Sequence, residues 1–233
     1  MFAREAAAMI DISAVRTHHS LGDIDEVVGY AKEYGFINVH VLPCWVKTLA
    51  VMLKDVDGVY VGAPVGFPSG AHKTEIKMME ARQLLDDGVE EMDIMINVGK
   101  LKNREYAYVQ RELKSIVALA KGRALVKAII EINVLSDFEM LKACDLVMES
   151  GADFIKTGTG WISGNANLDR VAKIKQHCGK TVKVKAAGGI RTKEEFLALA
   201  SMGVERMGIN TRSAIKIVEQ FPIAEKAIDK VDA

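Results

Sequence analysis

Three ionisable residues interrupt apolar runs where a buried strand would otherwise be expected. Asp93 sits in EEMDIMINVG, Lys156 in ADFIKTGTG and Lys185 in KTVKVKAAGG. A lysine drawn into a strand interior loses water, which favours its neutral form, and a second ammonium nearby favours that form further. A neutral lysine is a nucleophile able to form an imine with an aldehyde or ketone. A carboxylate such as Asp93 beside the pair can move protons during that reaction, directly or through a water. Plainer readings exist for each residue. A lone lysine at a strand end is solvated or salt-bridged, and Asp93 with one lysine makes a structural ion pair. Two lysines with one aspartate fit those readings less well, because one carboxylate cannot neutralise both.

A second group of residues points to an anion. Glycine-bearing loops recur at Gly158-Thr159-Gly160, Gly188-Gly189-Ile190-Arg191 and Gly208-Ile209-Asn210-Thr211. Glycines let backbone N–H groups approach a phosphate closely, and a following helix N-terminus adds partial positive charge. Any one of these loops is also explained as a tight turn. Adjacent loops of the same kind strengthen the anion reading.

These residues need a frame that brings them together. Short apolar runs recur at Ala8–Ile12, Ile37–Leu42, Val59–Val65, Met92–Asn97, Ala124–Ile132, Phe154–Thr157, Thr181–Ala186 and Arg206–Ile209. Amphipathic helical segments lie between them, among them Thr74–Gly88, Arg104–Leu119, Asp137–Ser150, Leu168–Gln176 and Lys193–Met202. Repeated strand–helix units imply a parallel sheet, because each parallel crossover needs about a dozen residues. The 233 residues allow roughly 29 per unit, which fits closure into an α/β TIM (β/α)₈ barrel; an open doubly wound sheet is the alternative. No Pro/Ser-rich linker divides the chain, so residues 1–233 read as one domain. Barrels of this kind carry their sites at the C-terminal strand ends and often hold phosphate on the loops after the seventh and eighth strands. Lys156 and Lys185 are placed there, one unit apart.

Composition bounds the class. Hydrophobic residues make up 49% and charged residues 27%, enough for a large core. Lys+Arg and Asp+Glu balance at 31 each, which argues against a nucleic-acid or membrane-surface partner. Cys44, Cys144 and Cys178 are widely separated and lack CxxC spacing, as expected of reduced thiols in a cytoplasmic protein. No signal peptide or membrane span is expected. No Asp/Glu/His spacing suits a metal, so metal-dependent chemistry is not expected. His18 and His19 read as loop residues, and His72 as the start of a helix.

The chain resembles the deoxyribose-phosphate aldolase family from about Met9 to Val218. The motifs carrying the resemblance are VGFPSGAHKTEIK (65–77), EEMDIMINVGKLK (90–102), GADFIKTGTG (151–160) and VKVKAAGGIRT (182–192). The resemblance implies a class I aldolase that reversibly cleaves 2-deoxy-D-ribose 5-phosphate to acetaldehyde and D-glyceraldehyde 3-phosphate without a cofactor. It implies Lys156 as the Schiff-base lysine, Lys185 as its perturbing partner and Asp93 as the acid/base. Gly160, Gly188, Gly189, Arg191, Gly208, Asn210 and Thr211 fall on the family's phosphate loops, and Asp11 with Ser13 on its early sugar-holding element. A homo-oligomer, dimer or tetramer, is usual in such a family.

The chain departs from the family pattern at its rim. His40 stands where a cysteine is usual, and Glu131-Ile132-Asn133 replaces a Glu-Thr pair, which implies the loss of a hydroxyl near the pocket. Asn210 and Thr211, followed by Arg212, replace a serine pair. The C-terminal tyrosine of many members has no counterpart in IDKVDA. These departures keep open a sister aldolase with a different sugar phosphate or aldehyde. A non-catalytic barrel binding a phosphorylated metabolite is the further alternative.

Overall fold

Runs rich in Val and Ile, each bounded by a turn, form a closed parallel barrel in the computed structural model, which describes residues 1–223. Its strands are β1 (Ile10–Ala14), β2 (Asn38–Val41), β3 (Tyr60–Val65), β4 (Glu91–Met95), β5 (Leu125–Ile129), β6 (Phe154–Lys156), β7 (Lys183–Ala187) and β8 (Arg206–Gly208), in sequence order around the barrel. The helices are α1 (Ala3–Ala7), α2 (Leu21–Tyr34), α3 (Val46–Leu53), α4 (Thr74–Asp86), α5 (Val98–Lys102), α6 (Tyr106–Ala120), α7 (Asp137–Ser150), α8 (Leu168–Cys178), α9 (Lys193–Ser201) and α10 (Thr211–Val218). The closed ring excludes the open doubly wound sheet. No helix among the described residues is long and apolar enough to cross a membrane.

Side chains alternate along each strand, and the alternation divides the molecule chemically. Ile10, Ile12, Val39, Val41, Ile94, Val126, Ile155 and Val184 belong to the apolar core formed with the helices. The intervening positions, Asp11, Asn38, His40, Glu91, Asp93, Lys127, Lys156, Lys185 and Arg206, are polar yet buried, and they meet inside the barrel. In-register pairing sets their heights: Asp93 lies beside Lys127, and Lys156 beside Lys185.

Several boundaries differ from the sequence expectation for identifiable reasons. The first strand begins at Ile10 rather than Ala8, because residues 3–7 form a helix that buries Ala6 and Ala7. The Ala3 N–H of that helix donates to the Pro222 carbonyl at 2.9 Å, tying the N-terminal helix to the segment after α10. Arg104 adopts a left-handed φ of 59°, so the helix expected there starts at Tyr106. His72 stays in the exposed loop ahead of α4, whose N-cap is Lys73. The terminal IDKVDA segment lies outside the described residues.

Candidate active site

The lumen holds a continuous ionic cluster. Lys156 Nζ donates to Asp93 Oδ2 at 2.7 Å, and Lys185 Nζ donates to the same oxygen at 2.8 Å. Lys185 also reaches Asp11 Oδ2 at 2.6 Å. Beneath them, Lys127 Nζ sits 2.5 Å from Glu91 Oε2 and 3.4 Å from both Asp11 and Asp93. Arg206 bridges Asp11 at 2.7 Å and Glu91 at 2.5 Å. Asp93 is fully buried and does not line the cavity above the cluster, whereas Lys156 and Lys185 do.

This wiring sets the proton affinities. Burial pushes the Lys156 ammonium pKa down to about 8; Asp93 opposes the change, and the Lys185 and Lys127 charges add to it. Burial opposes charge on Lys127 as well, but Asp93, Asp11 and Glu91 together hold it above the usual lysine range. For Asp93 burial acts upward, yet the ammonium groups of Lys156, Lys185 and Lys127 hold its carboxyl well below the usual range. Asp11 behaves likewise under Lys185, Lys127 and Arg206. Lys156 therefore gives up its proton far more readily than Lys127, while Asp93 stays ionised against it.

His40 is wedged between Asn38 and Asp93, with Nε2 3.1 Å from Asp93 Oδ1. Its place depends on Gly62 of β3, because a Cβ at that position would collide with both His40 and Asn38. Burial pushes the His40 pKa down to about 3, with Asp93 opposing and Lys185 and Lys127 assisting, so the ring is neutral.

Above the lysines opens a cavity of about 600 Å³, lined among others by Ser13, His40, Lys156, Lys185, Gly160 and Gly188. The remaining residues of the expected phosphate rim, Gly189, Arg191, Gly208, Asn210 and Thr211, also reach it, as do Asp11 and Arg212. Their roles there differ. The Asn210 side chain caps α10 by accepting from the Ser213 N–H at 3.0 Å, which engages that amide and leaves the preceding ones, of Thr211 and Arg212, to face an anion. The Arg191 N–H is engaged by Glu195 at 2.8 Å, so only the rest of that residue is free to serve the rim. Gly189 cannot carry a side chain, because a Cβ there would strike the Asn165 backbone.

Ile132 corrects one expectation. It is buried in a short 3₁₀ turn and does not line the cavity, so the hydroxyl missing at that position leaves no gap in the wall. Glu131 at the head of the turn takes a left-handed φ of 52° and accepts from the Thr159 N–H at 3.0 Å and from the Thr159 hydroxyl. The carboxylate thereby fixes the loop that follows Lys156.

Sequence reasoning missed Glu91, Lys127 and Arg206, and it missed Arg16. The Arg16 guanidinium donates to the Gly160 carbonyl at 2.8 Å and lies over the Trp161 ring, 5.3 Å from its centroid. Trp161 in turn meets Phe67 edge-on at 5.6 Å. The loop after β1 thus places a cation at the rim beside the glycine loops. A strand charge at i−2 from a singled-out residue would have flagged Glu91 before Asp93; nothing in the sequence flags Arg16.

Among the described residues no three His, Cys, Asp or Glu side chains form a group suited to a metal ion. The lumen carboxylates are instead engaged by lysine and arginine, and the arrangement suits amine chemistry on a small carbonyl compound bearing an anionic group.

Known proteins share this architecture and sequence. A deoxyribose-phosphate aldolase of Rhizobium meliloti (strain 1021) is 42% identical over 217 residues, covering 93% of this chain and 87% of the relative. The solved structure of an aldolase designated QR15 superposes with a TM-score of 0.85 at 36% identity, covering 92% of this chain and 95% of that one. A deoxyribose phosphate aldolase from Aeropyrum pernix, described as a tetramer, superposes with a TM-score of 0.85 at 28% identity, over 93% of this chain and 91% of its own. The sequence also matches the DeoC/LacD family aldolase profile over residues 19–210, and the chain belongs to that family.

Proposed function

We propose that this chain is a class I aldolase that reversibly cleaves 2-deoxy-D-ribose 5-phosphate to acetaldehyde and D-glyceraldehyde 3-phosphate. The observation carrying this reading is Lys156. It is a buried lysine with a pKa near 8, held 2.7 Å from an ionised aspartate, at the floor of a glycine-ringed cavity.

The free Lys156 amine attacks the C1 aldehyde to give a carbinolamine, which takes up a proton and loses water to form an iminium ion. Removal of the C3 hydroxyl proton then breaks the C2–C3 bond. Its electron pair passes into the iminium, releasing glyceraldehyde 3-phosphate and leaving a neutral enamine. Protonation of that enamine at C2 and hydrolysis return acetaldehyde and free Lys156. The iminium is the electron sink for the cleavage. Lys185 and Lys127 keep the amine proton loosely held, while the Gly160, Gly188-Gly189 and Gly208 loops, the α10 N-terminus and Arg16 suit the phosphate.

The test is reductive trapping with acetaldehyde and borohydride, read by intact and peptide mass. An ethyl adduct on Lys156, and turnover lost in Lys156→Leu, are expected. Turnover retained in that variant overturns the assignment. The rim, with His40 and the Arg16–Trp161 pair, favours a second reading as a sister aldolase with another phosphorylated acceptor; comparing kcat/KM over an aldehyde panel separates the two.

A homo-oligomer, dimer or tetramer, working in the cytoplasm completes the proposal. The tetramer described for the Aeropyrum pernix structure supports assembly, and light scattering tests it.

A further inference from the structure

The hydrogen-bond polarity around His40 can be read without ambiguity from its neighbours. Asn38 Nδ2 donates to Glu91 Oε2 at 2.8 Å, and a carboxylate only accepts, so the Asn38 amide orientation is set. Its Oδ1 therefore faces His40 Nδ1 and accepts a proton from it. In a neutral ring this leaves the Nε2 lone pair directed at Asp93 Oδ1, 3.1 Å away. Two acceptors then face each other with no proton between them, and both atoms lack a hydrogen-bond partner among the described residues. One proton placed in that contact satisfies both.

Charge in the lumen shows when such a proton arrives. The carboxylates of Asp11, Glu91 and Asp93 are matched by Lys127, Lys185 and Arg206, without any contribution from Lys156 or His40. The iminium on Lys156 adds one positive charge. When it becomes an enamine its nitrogen turns neutral, and Asp93 loses one of the cations holding its charge. The proton affinity of the Asp93–His40 pair rises by that same interaction. Moving the released proton into the pair keeps the net charge of this desolvated cluster constant.

We infer that His40, together with Asp93, is the proton station of the enamine step. It takes up the proton released as the iminium becomes the enamine, and it returns that proton to C2. Resting on the imine reading above, the step balances simply. In the direction of acetaldehyde activation, a C2–H bond of the iminium breaks and its electron pair forms the C=C bond of the enamine. The proton forms an N–H bond with the His40 Nε2 lone pair, against Asp93 Oδ1. His40 and Lys156 both line the cavity, while Nε2 itself is buried at the Asp93 contact, so the proton crosses from C2 to the ring through a cavity water.

The groups facing the ring explain why this proton does not stay. Lys185 of β7 and Lys127 of β5 repel an imidazolium, while Asp93 of β4 and Asp11 of β1 attract it, and Gly62 of β3 contributes no side chain. In the resting site burial decides the balance, and the ring is neutral.

The experiment compares two readouts in the wild type and in His40→Gln. Gln retains hydrogen bonding but cannot take up a proton. Borohydride trapping of acetaldehyde on Lys156 reports imine formation, and deuterium entry into the acetaldehyde methyl group in D₂O, followed by NMR, reports the enamine. We expect trapping within about twofold of wild type while methyl exchange falls at least tenfold. Exchange in the variant should also rise steeply with pH as hydroxide replaces the ring. Unchanged exchange overturns the proton station, and so does a parallel loss of trapping and exchange, which marks a packing role. Should His40→Gln not fold, His40→Asn provides the same comparison. Absence of trapping in the wild type would instead sink the imine reading itself.

Discussion

Lys156 and Lys185 stand in register on adjacent strands and share a single oxygen, Asp93 Oδ2, at 2.7 and 2.8 Å. Burial disfavours the charge on Lys156 and the Lys185 ammonium on the same oxygen adds to that effect, so that even with Asp93 opposing the Lys156 pKa drops to about 8. Because Lys185 lowers that value, Lys185→Met should raise it. The rate of imine trapping in the wild type is expected to climb through pH 8 as the amine loses its proton. In Lys185→Met the same climb should move to higher pH, with a trapping rate at pH 7 several-fold below wild type. A trapping–pH curve that superimposes on the wild-type curve would remove Lys185 from this role.

The same depressed value makes Lys156 a stability liability. Its pKa is about 8 folded, against 10.5 for an ordinary lysine, so between those values the unfolded chain binds more protons and stability rises with pH. Below pH 8 the full penalty applies, on the order of 3 kcal/mol. Lys156→Met should therefore be inactive yet more thermostable than wild type at pH 7, with the gap closing by about pH 10.5. A calorimetric scan at both pH values checks this, and a lower Tm for the variant at pH 7 counts against it.

Asp93 carries the opposite sign. It holds Lys156, Lys185 and Lys127, and its carboxyl lies well below the usual range. Its contribution is present above the unfolded-state pKa, near 4, and is lost as the pH falls below that value. Asp93→Asn leaves buried cations without a counter-charge and should cost about 3–5 kcal/mol at pH 7. Urea titrations should show the difference between variant and wild type shrinking below pH 4. A constant difference across that range would mean that charge is not the cause.

How much of this was legible follows from where each residue sits. Asp93, Lys156 and Lys185 stand out because a charge in an apolar strand run is conspicuous, and barrel sites lie at strand ends. Lys127 interrupts its apolar strand at the same height as Asp93 and was open to the same reading, whereas Glu91 and Arg206 stand at strand starts, where a reading that looks to the strand tips does not reach. An interrupting charge is also not functional in itself. Lys77 of α4 is fully buried and simply pairs with Glu112 at 2.6 Å and the Met95 carbonyl at 2.8 Å, outside the lumen. The strand–helix alternation exposed the barrel, whereas the short helices α1 and α5 are only five residues each and offer no periodicity to read. Arg16 lies in a loop, and its partner Gly160 is 144 residues away, so only closure of the barrel brings them together.

Arg16 yields the last prediction. Its guanidinium is held by the Gly160 carbonyl and by the Trp161 face, at the rim that carries the glycine loops. A positive charge fixed there before substrate arrives attracts a phosphate at little further ordering cost, and it touches none of the groups around Lys156. Arg16→Ala should raise KM for 2-deoxy-D-ribose 5-phosphate by about tenfold or more with kcat changed little, since the charge is felt equally before and during the reaction. Trapping of acetaldehyde, which has no phosphate, should be unaffected, and so should the slow cleavage of unphosphorylated 2-deoxyribose. Equal losses on phosphorylated and unphosphorylated substrates would show that Arg16 merely supports the loop through Gly160. Loss confined to the phosphorylated substrate would place the phosphate between the β1 and β6 loops, and Trp161→Ala, which removes the surface holding the guanidinium, should then reproduce a weaker form of the same KM effect.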